Sequence, residues 1–246
     1  MSRTFHIQRK ELLSGAREAT GIAVVIDVYR AFTCAALMMH LGAEQIVLHA
    51  DPQAILKLKL QKGYLAVGEV GGRMVDGFDL GNSPTRILAA GRQTFAGRTV
   101  AQRTSAGVTG AMAASRQADV VILGSYVTAG AIARYIHRMS PPPTVVSLVA
   151  MGADGKWPTP EDQVCGDYIE HLLAGRAYDH VAALRQTIEH ESTQKFLRGQ
   201  HEHLPPTDPL YCLQRDVFDF CIVGTRENEG RDAHLIARRI DVLEEV

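Results

Sequence analysis

The chain has 246 residues, 46% of them hydrophobic and 22% charged. That is an ordinary globular composition, and the length suffices for a sizeable core without disulfides. Its 26 Lys+Arg against 27 Asp+Glu give a net charge of −1, which leaves no large electrostatic pull toward nucleic acid or an anionic membrane.

In chain order, Gly21–Val28 reads as a buried strand, β-branched and nearly all apolar, ending in a carboxylate. A helix is expected over Ala31–Leu41, closed by Gly42, with Leu37, Met38 and Leu41 as a core stripe. Gln45–His49 is the next strand. Pro52–Leu60 is a helix, with Asp51 as N-cap and Pro52 in its first turn. A short strand at Leu65–Val67 leads into Gly68–Pro84, a glycine-rich stretch with no period, and a long irregular loop of this kind is usually functional.

Arg98–Arg103 is a strand and Ala106–Ser115 a helix. Val120–Gly124 is a strand, Val127–Met139 a helix, Thr144–Val149 a strand and Pro160–Leu173 a helix. After Tyr178 the pattern weakens. Ser192–Gly199 reads as helical, His201–Pro209 as a polar loop and Val217–Val223 as a late strand. The alternation predicts a layered α/β/α fold around a largely parallel or mixed sheet. One domain is expected over 1–246, with 138–143 as the best place for a boundary between two subdomains.

No apolar run approaches the ~20 residues of a membrane span, and MSRTFHIQRKELLSG lacks the apolar core of a secretory signal. The expected location is the cytoplasm. Four scattered cysteines, with no CxxC pair, suit reduced thiols. A homodimer is compatible with the sequence.

Ligands of open parallel sheets bind beyond the strands' C-terminal ends. Asp27 and Arg30 follow the first strand, and Glu69 the third. Arg103-Thr104-Ser105-Ala106-Gly107 follows the fourth, Ser125 the fifth and Glu161-Asp162 the sixth. Small hydroxyls and a glycine at a helix start suit an anion, and Arg30 adds a forked donor. The alternative makes Thr104 and Ser105 plain caps and Arg30 a surface ion-pair residue. Asp27, Glu69, Asp79, Glu161 and Asp162 are candidate Mg²⁺ ligands. For Asp27 the alternative is an ion pair with Arg30; for Glu161 and Asp162 it is the ordinary preference of acids for a helix N-terminus.

Several chemistries are excluded. There is no GxxxxGK[ST] loop, no GxGxxG after the first strand and no GxSxG elbow. His201-x-His203 reads as a solvated loop, and Cys165 as a packing thiol.

The run Val24-Val-Ile-Asp27-Val-Tyr-Arg30-Ala-Phe-Thr33 resembles the opening of the 2-phosphosulfolactate phosphatase family. Gly68-Glu69 with Gly71-Gly72, the octapeptide Gly77–Pro84 (GFDLGNSP), Gly124-Ser125, and Glu161-Asp162 with Cys165 resemble that family's further motifs in order and spacing. The resemblance implies a Mg²⁺-dependent phosphatase that converts 2-phosphosulfolactate to sulfolactate, in the route to coenzyme M, on an α/β/α fold. It carries over Asp27, Arg30, Glu69, Asp79, Asn82, Ser83, Ser125, Glu161 and Asp162 as site residues. Two places depart: the family's arginine after Glu69 is Val70, and its threonine–asparagine loop reads Arg103–Val108, with Ala106 in place of asparagine.

The expected function is hydrolysis of a small anionic phosphate ester. Carboxylates would hold Mg²⁺, and Arg30, Arg103 and the Thr104–Gly107 backbone would hold the substrate. If a side chain attacks phosphorus, Asp27 comes first and Cys165 second. The rival is a non-catalytic protein that binds a phosphorylated or sulfonated acid.

Overall fold

The computed structural model describes residues 5–242. In chain order these are β1 His6–Glu11, α1 Leu12–Arg17, β2 Gly21–Ile26, α2 Ala31–His40, β3 Gln45–Leu48, α3 Pro52–Lys62, β4 Leu65–Val70 and β5 Arg73–Met74. There follow α4 Pro84–Phe95, β6 Thr99–Arg103, α5 Gly107–Ala114, β7 Ala118–Gly124, α6 Ala129–Arg138, β8 Val145–Ala150 and α7 Pro160–Ala174. The C-terminal part gives α8 His180–Glu189, α9 Glu191–Leu197, α10 Asp208–Cys212, β9 Phe220–Glu227 and β10 His234–Asp241.

The strands form one sheet in the order β1-β8-β2-β7-β9-β10-β3-β6-β4-β5. It has two parallel blocks, β1-β8-β2-β7 and β3-β6-β4. The antiparallel hairpin β9-β10 joins them, through β9 on β7 and β10 on β3. The expected α/β/α architecture with a mixed sheet is present. The C-terminal segment, which showed only a weak pattern in the sequence, supplies the strands that join its halves.

The core explains why α2 shows no polar face. Ala23 and Val25 of β2, Ile46 and Leu48 of β3, Leu65 and Val67 of β4 and Ile222 of β9 share one apolar cluster with Ala31 through Met39 of α2. Nine of its ten residues are buried, as expected of a helix apolar all round. Strands of both blocks therefore pack on α2. The blocks run in opposed directions through the central hairpin. The sheet's accumulated twist, roughly 20–25° per neighbouring pair, is the physical reason that ends of β2 and β6 can reach the first turn of one helix. The reverse face of β2 and β8 packs under α6 and α7.

Local chemistry sets the element ends. Asp51 caps α3 through Gln53 N, and Ser83 caps α4 through Arg86 N, each before a proline in the first turn. The glycine-rich stretch is more regular than expected. β4 continues to Val70 and turns through Gly71-Gly72 into β5. Gly68 has φ +147, and a Cβ there would lie 1.9 Å from the Arg103 carbonyl oxygen. Only glycine lets β4 pass β6 so closely.

Candidate active site

A cavity of about 180 Å³ opens at the first turn of α2. Six of the residues singled out in the sequence line it: Asp27, Arg30, Glu69, Asn82, Ser105 and Glu161. They come from the ends of β2, β4 and β6, the start of α7 and the loop before α4. Asp27, Glu69 and Glu161 are all buried.

Each carboxylate is held by backbone or hydroxyl donors. Ala31 N donates to Asp27 Oδ1 at 3.0 Å, and Gly107 N to Oδ2 at 2.8 Å. Glu69 Oε1 accepts from Ser105 N at 2.6 Å; its Oε2 accepts from Gly72 N at 2.6 Å and Ser105 Oγ at 3.1 Å. Ser192 Oγ donates to Glu161 Oε2 at 2.6 Å. The N–H groups of Ser105 and Gly107, expected to receive a substrate anion, are thus committed to the protein's own acids. Gly107 permits this approach, since a Cβ there would lie 2.7 Å from Asp27 Oδ2.

The remaining expected residues lie outside the cavity lining. Asp79 pairs with Lys59 Nζ at 2.6 Å and accepts from Ala66 N at 2.8 Å. It fastens β4 to α3 and does not join the other acids. Asp162 accepts from Val28 N at 2.7 Å and Gly152 N at 2.8 Å; it ties the loop after β2 to the loop after β8. Arg103 donates to the carbonyls of Ala50 and Glu69, so it braces the strand end that carries Glu69. Thr104 Oγ1 accepts from Val108 N at 2.9 Å, the plain capping role. Ser125 is buried with its Oγ unpartnered, and Ser83 Oγ donates to Asp208 Oδ1.

Arg30 does not pair with Asp27. Its Nη1 donates to Asp208 Oδ2 at 2.8 Å and to the His203 carbonyl at 2.8 Å, and its guanidinium lies over the Phe196 ring. Asp208 was not singled out in the sequence, and neither were Thr159, Lys195, Phe196 and Leu204, which line the cavity. His203, read as part of a solvated loop, lines it too. The segment from α9 to α10 therefore closes over the strand ends and supplies Arg30 with its counter-charge.

The electrostatics follow from burial. Asp27 is pushed up to about 7, first by desolvation and then by the charges of Glu69 and Glu161, against the stabilising N–H groups of Ala31 and Gly107. Asp162 is pushed well above the usual carboxylate range by burial and by Asp27 and Glu161. Burial also pushes the Cys165 thiol up, which suits a packing role and not a nucleophile.

Among the described residues no group of three or more His, Cys, Asp or Glu is arranged to hold a metal ion. Magnesium commonly takes only one or two carboxylates, with water and phosphate oxygens completing its shell. Asp27 and Glu161 meet that need. Both line the cavity, and burial together with the neighbouring acids raises Asp27, a crowding that a bound cation would offset. The residues present fit such an ion.

Residues 7–226 match the family model described as 2-phosphosulpholactate phosphatase. The chain belongs to this family. Among curated relatives of the 2-phosphosulpholactate phosphatase family, a Bacillus subtilis protein is 29% identical over 210 residues, 85% of this chain and 89% of its own. One from Gloeobacter violaceus is 33% identical over 188 residues, 73% of this chain and 75% of its own. One from Deinococcus radiodurans is 34% identical over 154 residues, 62% of each chain, so this match spans under two thirds of that relative. All three are named probable 2-phosphosulfolactate phosphatases. No helix among the described residues is long and apolar enough to cross a membrane.

Proposed function

We propose that this chain is a Mg²⁺-dependent phosphatase of a small phosphorylated hydroxy acid, with 2-phosphosulfolactate as the first candidate substrate. The observation that carries the reading is the convergence of Asp27, Glu69 and Glu161 on one cavity that Arg30 and Lys195 also line. Family membership and the relatives' names support the substrate class.

Asp27 and Glu161 would hold the ion. Glu161 keeps one oxygen that Ser192 does not occupy, and the two backbone donors fix Asp27 in place. Bound Mg²⁺ supplies charge withdrawal from the phosphoryl oxygens and a more acidic water. Glu69 acts differently: its three hydrogen bonds, from Gly72 N, Ser105 N and Ser105 Oγ, order the Gly71-Gly72 turn and the Ser105 loop. Hydrolysis breaks the ester P–O bond while water forms the new one. Negative charge spreads over the equatorial oxygens, where Arg30 and Lys195 are the cations within the cavity wall. Phe196 and Leu204, from the closing segment, restrict water in that space.

Phosphate release from a panel of small phosphate esters tests this. Mg²⁺-dependent release that Asp27→Asn lowers by at least about a hundredfold, with the fold intact, is the expected result. Absence of release from every ester, together with calorimetric binding of the same esters, would favour a non-catalytic binding protein.

A further inference from the structure

A hollow of about 270 Å³ lies where α1 packs on α5, beside the loop after β3 and the end of β9. It shares no residue with the cavity of the buried acids. Sequence spacing gives it two kinds of surface. Leu13 and Arg17 stand four apart on α1, and Met112 and Arg116 four apart at the C-terminal end of α5. Each helix therefore turns one apolar residue and one arginine to the same space. Ala113 and Ala233 complete an apolar floor, and His49 and Arg226 stand at the rim.

The charge in this hollow is one-sided. Three guanidinium groups, those of Arg17, Arg116 and Arg226, line it against the single carboxylate of Asp51. That carboxylate is committed elsewhere: its Oδ1 accepts from Gln53 N at 2.9 Å and caps α3.

Arginines gather at helix C-termini without any ligand, because the last carbonyls are negative. Arg226 answers that need. Its Nη1 donates to the Met112 carbonyl at 3.4 Å and to Ser115 Oγ at 2.9 Å. Arg17 and Arg116 do not. Neither guanidinium makes a hydrogen bond, ion pair or stacking contact with a described residue. The whole chain has a net charge of −1, so a local excess of this kind is not a general basic surface. Like charges gathered around one hollow repel, and an anion between them removes that repulsion.

The two surfaces define the ligand. Forked guanidinium donors match a tetrahedral oxyanion, and a dianion gains from more than one of them. The floor of Leu13, Met112, Ala113 and Ala233 suits a carbon body. We propose that this hollow is a second binding site, for an organic phosphate dianion, with Arg17, Arg116 and Arg226 on the phosphate and the carbon part on the apolar floor. The site is independent of the phosphatase reading, since neither Asp27, Glu69 nor Glu161 lines it.

The test is titration calorimetry of the full chain in excess chelator. Phenylphosphonate is the probe. It joins a dianion to an apolar ring, and its C–P bond is not a phosphatase substrate. Wild type is compared with the Arg17→Gln/Arg116→Gln double variant and with both single variants, each checked by thermal melting. Both arginines are exposed, so the variants are expected to fold. Binding to the wild type that the double variant weakens at least about tenfold is the expected result. Occupancy of the acid-lined cavity by the probe would not respond to these arginines, so equal binding by both proteins overturns the proposal, as does no binding to the wild type. Inorganic phosphate, titrated in the same way, tests the floor. Phenylphosphonate is expected to bind at least about fivefold more tightly than phosphate through its buried ring; equal affinities would overturn the assignment of an organic ligand.

Discussion

Arg30 and Asp208 stand 178 residues apart and meet as a buried ion pair, Nη1 to Oδ2, at 2.8 Å. Asp208 also accepts from Ser83 Oγ, Thr85 N and Thr85 Oγ1. One carboxylate thus ties the first loop, the start of α4 and the closing segment together. Removing one partner of a buried pair leaves the other charge uncompensated. Asp208→Ala is expected to cost on the order of 3–5 kcal/mol in urea unfolding. A loss under about 1 kcal/mol would show that the pair does not brace the segment.

Asp27 ties stability to pH. Its carboxyl lies at about 7 in the folded chain against an ordinary 3.8, so between those values the folded chain binds more protons than the unfolded one. The unfolding free energy from this group is therefore full at low pH and falls as pH rises through that window. A divalent cation offsets the charge that causes the fall. Mg²⁺ is expected to raise the melting temperature more at about pH 8 than at about pH 5, and Asp27→Asn to abolish the difference. Equal shifts at both pH values would remove Asp27 from the cation site.

Gly107 is a positioning residue. Its missing Cβ leaves room for Asp27 Oδ2 and for Ala31 Cβ, which a side chain would approach to 2.7 and 2.8 Å. Gly107→Ala is expected to cost about 1–3 kcal/mol of stability and to displace the Asp27 carboxyl. Turnover should fall by about a hundredfold. Normal turnover in the folded variant would mean that the placement of Asp27 does not matter.

Asp79 gives the opposite expectation. Its partners are Lys59 and the Ala66 N–H, away from the other acids. Asp79→Asn should keep turnover within about twofold and change stability by on the order of 1 kcal/mol. A large kinetic loss with unchanged stability would place this acid in the chemistry after all.

The periodic half of the chain was legible because its signals are local. An apolar run before Asp27, Asp51-Pro52 and Ser83-Pro84 at helix starts, and glycine at helix ends all reflect interactions within a few residues. The first six strand-end segments pointed to Asp27, Glu69, Ser105 and Glu161 for the same reason. The role of Asp162, a tie between two loops, was not legible, because its donors Val28 and Gly152 are chosen by packing. The N–H groups of the Ser105–Gly107 loop looked available for a ligand, yet distant acids had taken them. Asp208 and His203 lie in the stretch read as a polar loop, and Lys195 in one read only as helical, since the closing segment is held by contacts more than 100 residues away in sequence. The β9-β10 hairpin was half seen: only its first strand was apolar enough to notice, and β10 carries exposed arginines on its far half.

A cation held among these acids is tested most directly by ³¹P NMR of 2-phosphosulfolactate incubated with the full chain, in Mg²⁺ and then in excess chelator. The ester signal is expected to give way to inorganic phosphate in Mg²⁺ and to persist in chelator, with Glu161→Gln behaving as the chelated wild type does. Phosphate release at the same rate in chelator, or by Glu161→Gln as fast as by the wild type, would contradict a cation held among these acids.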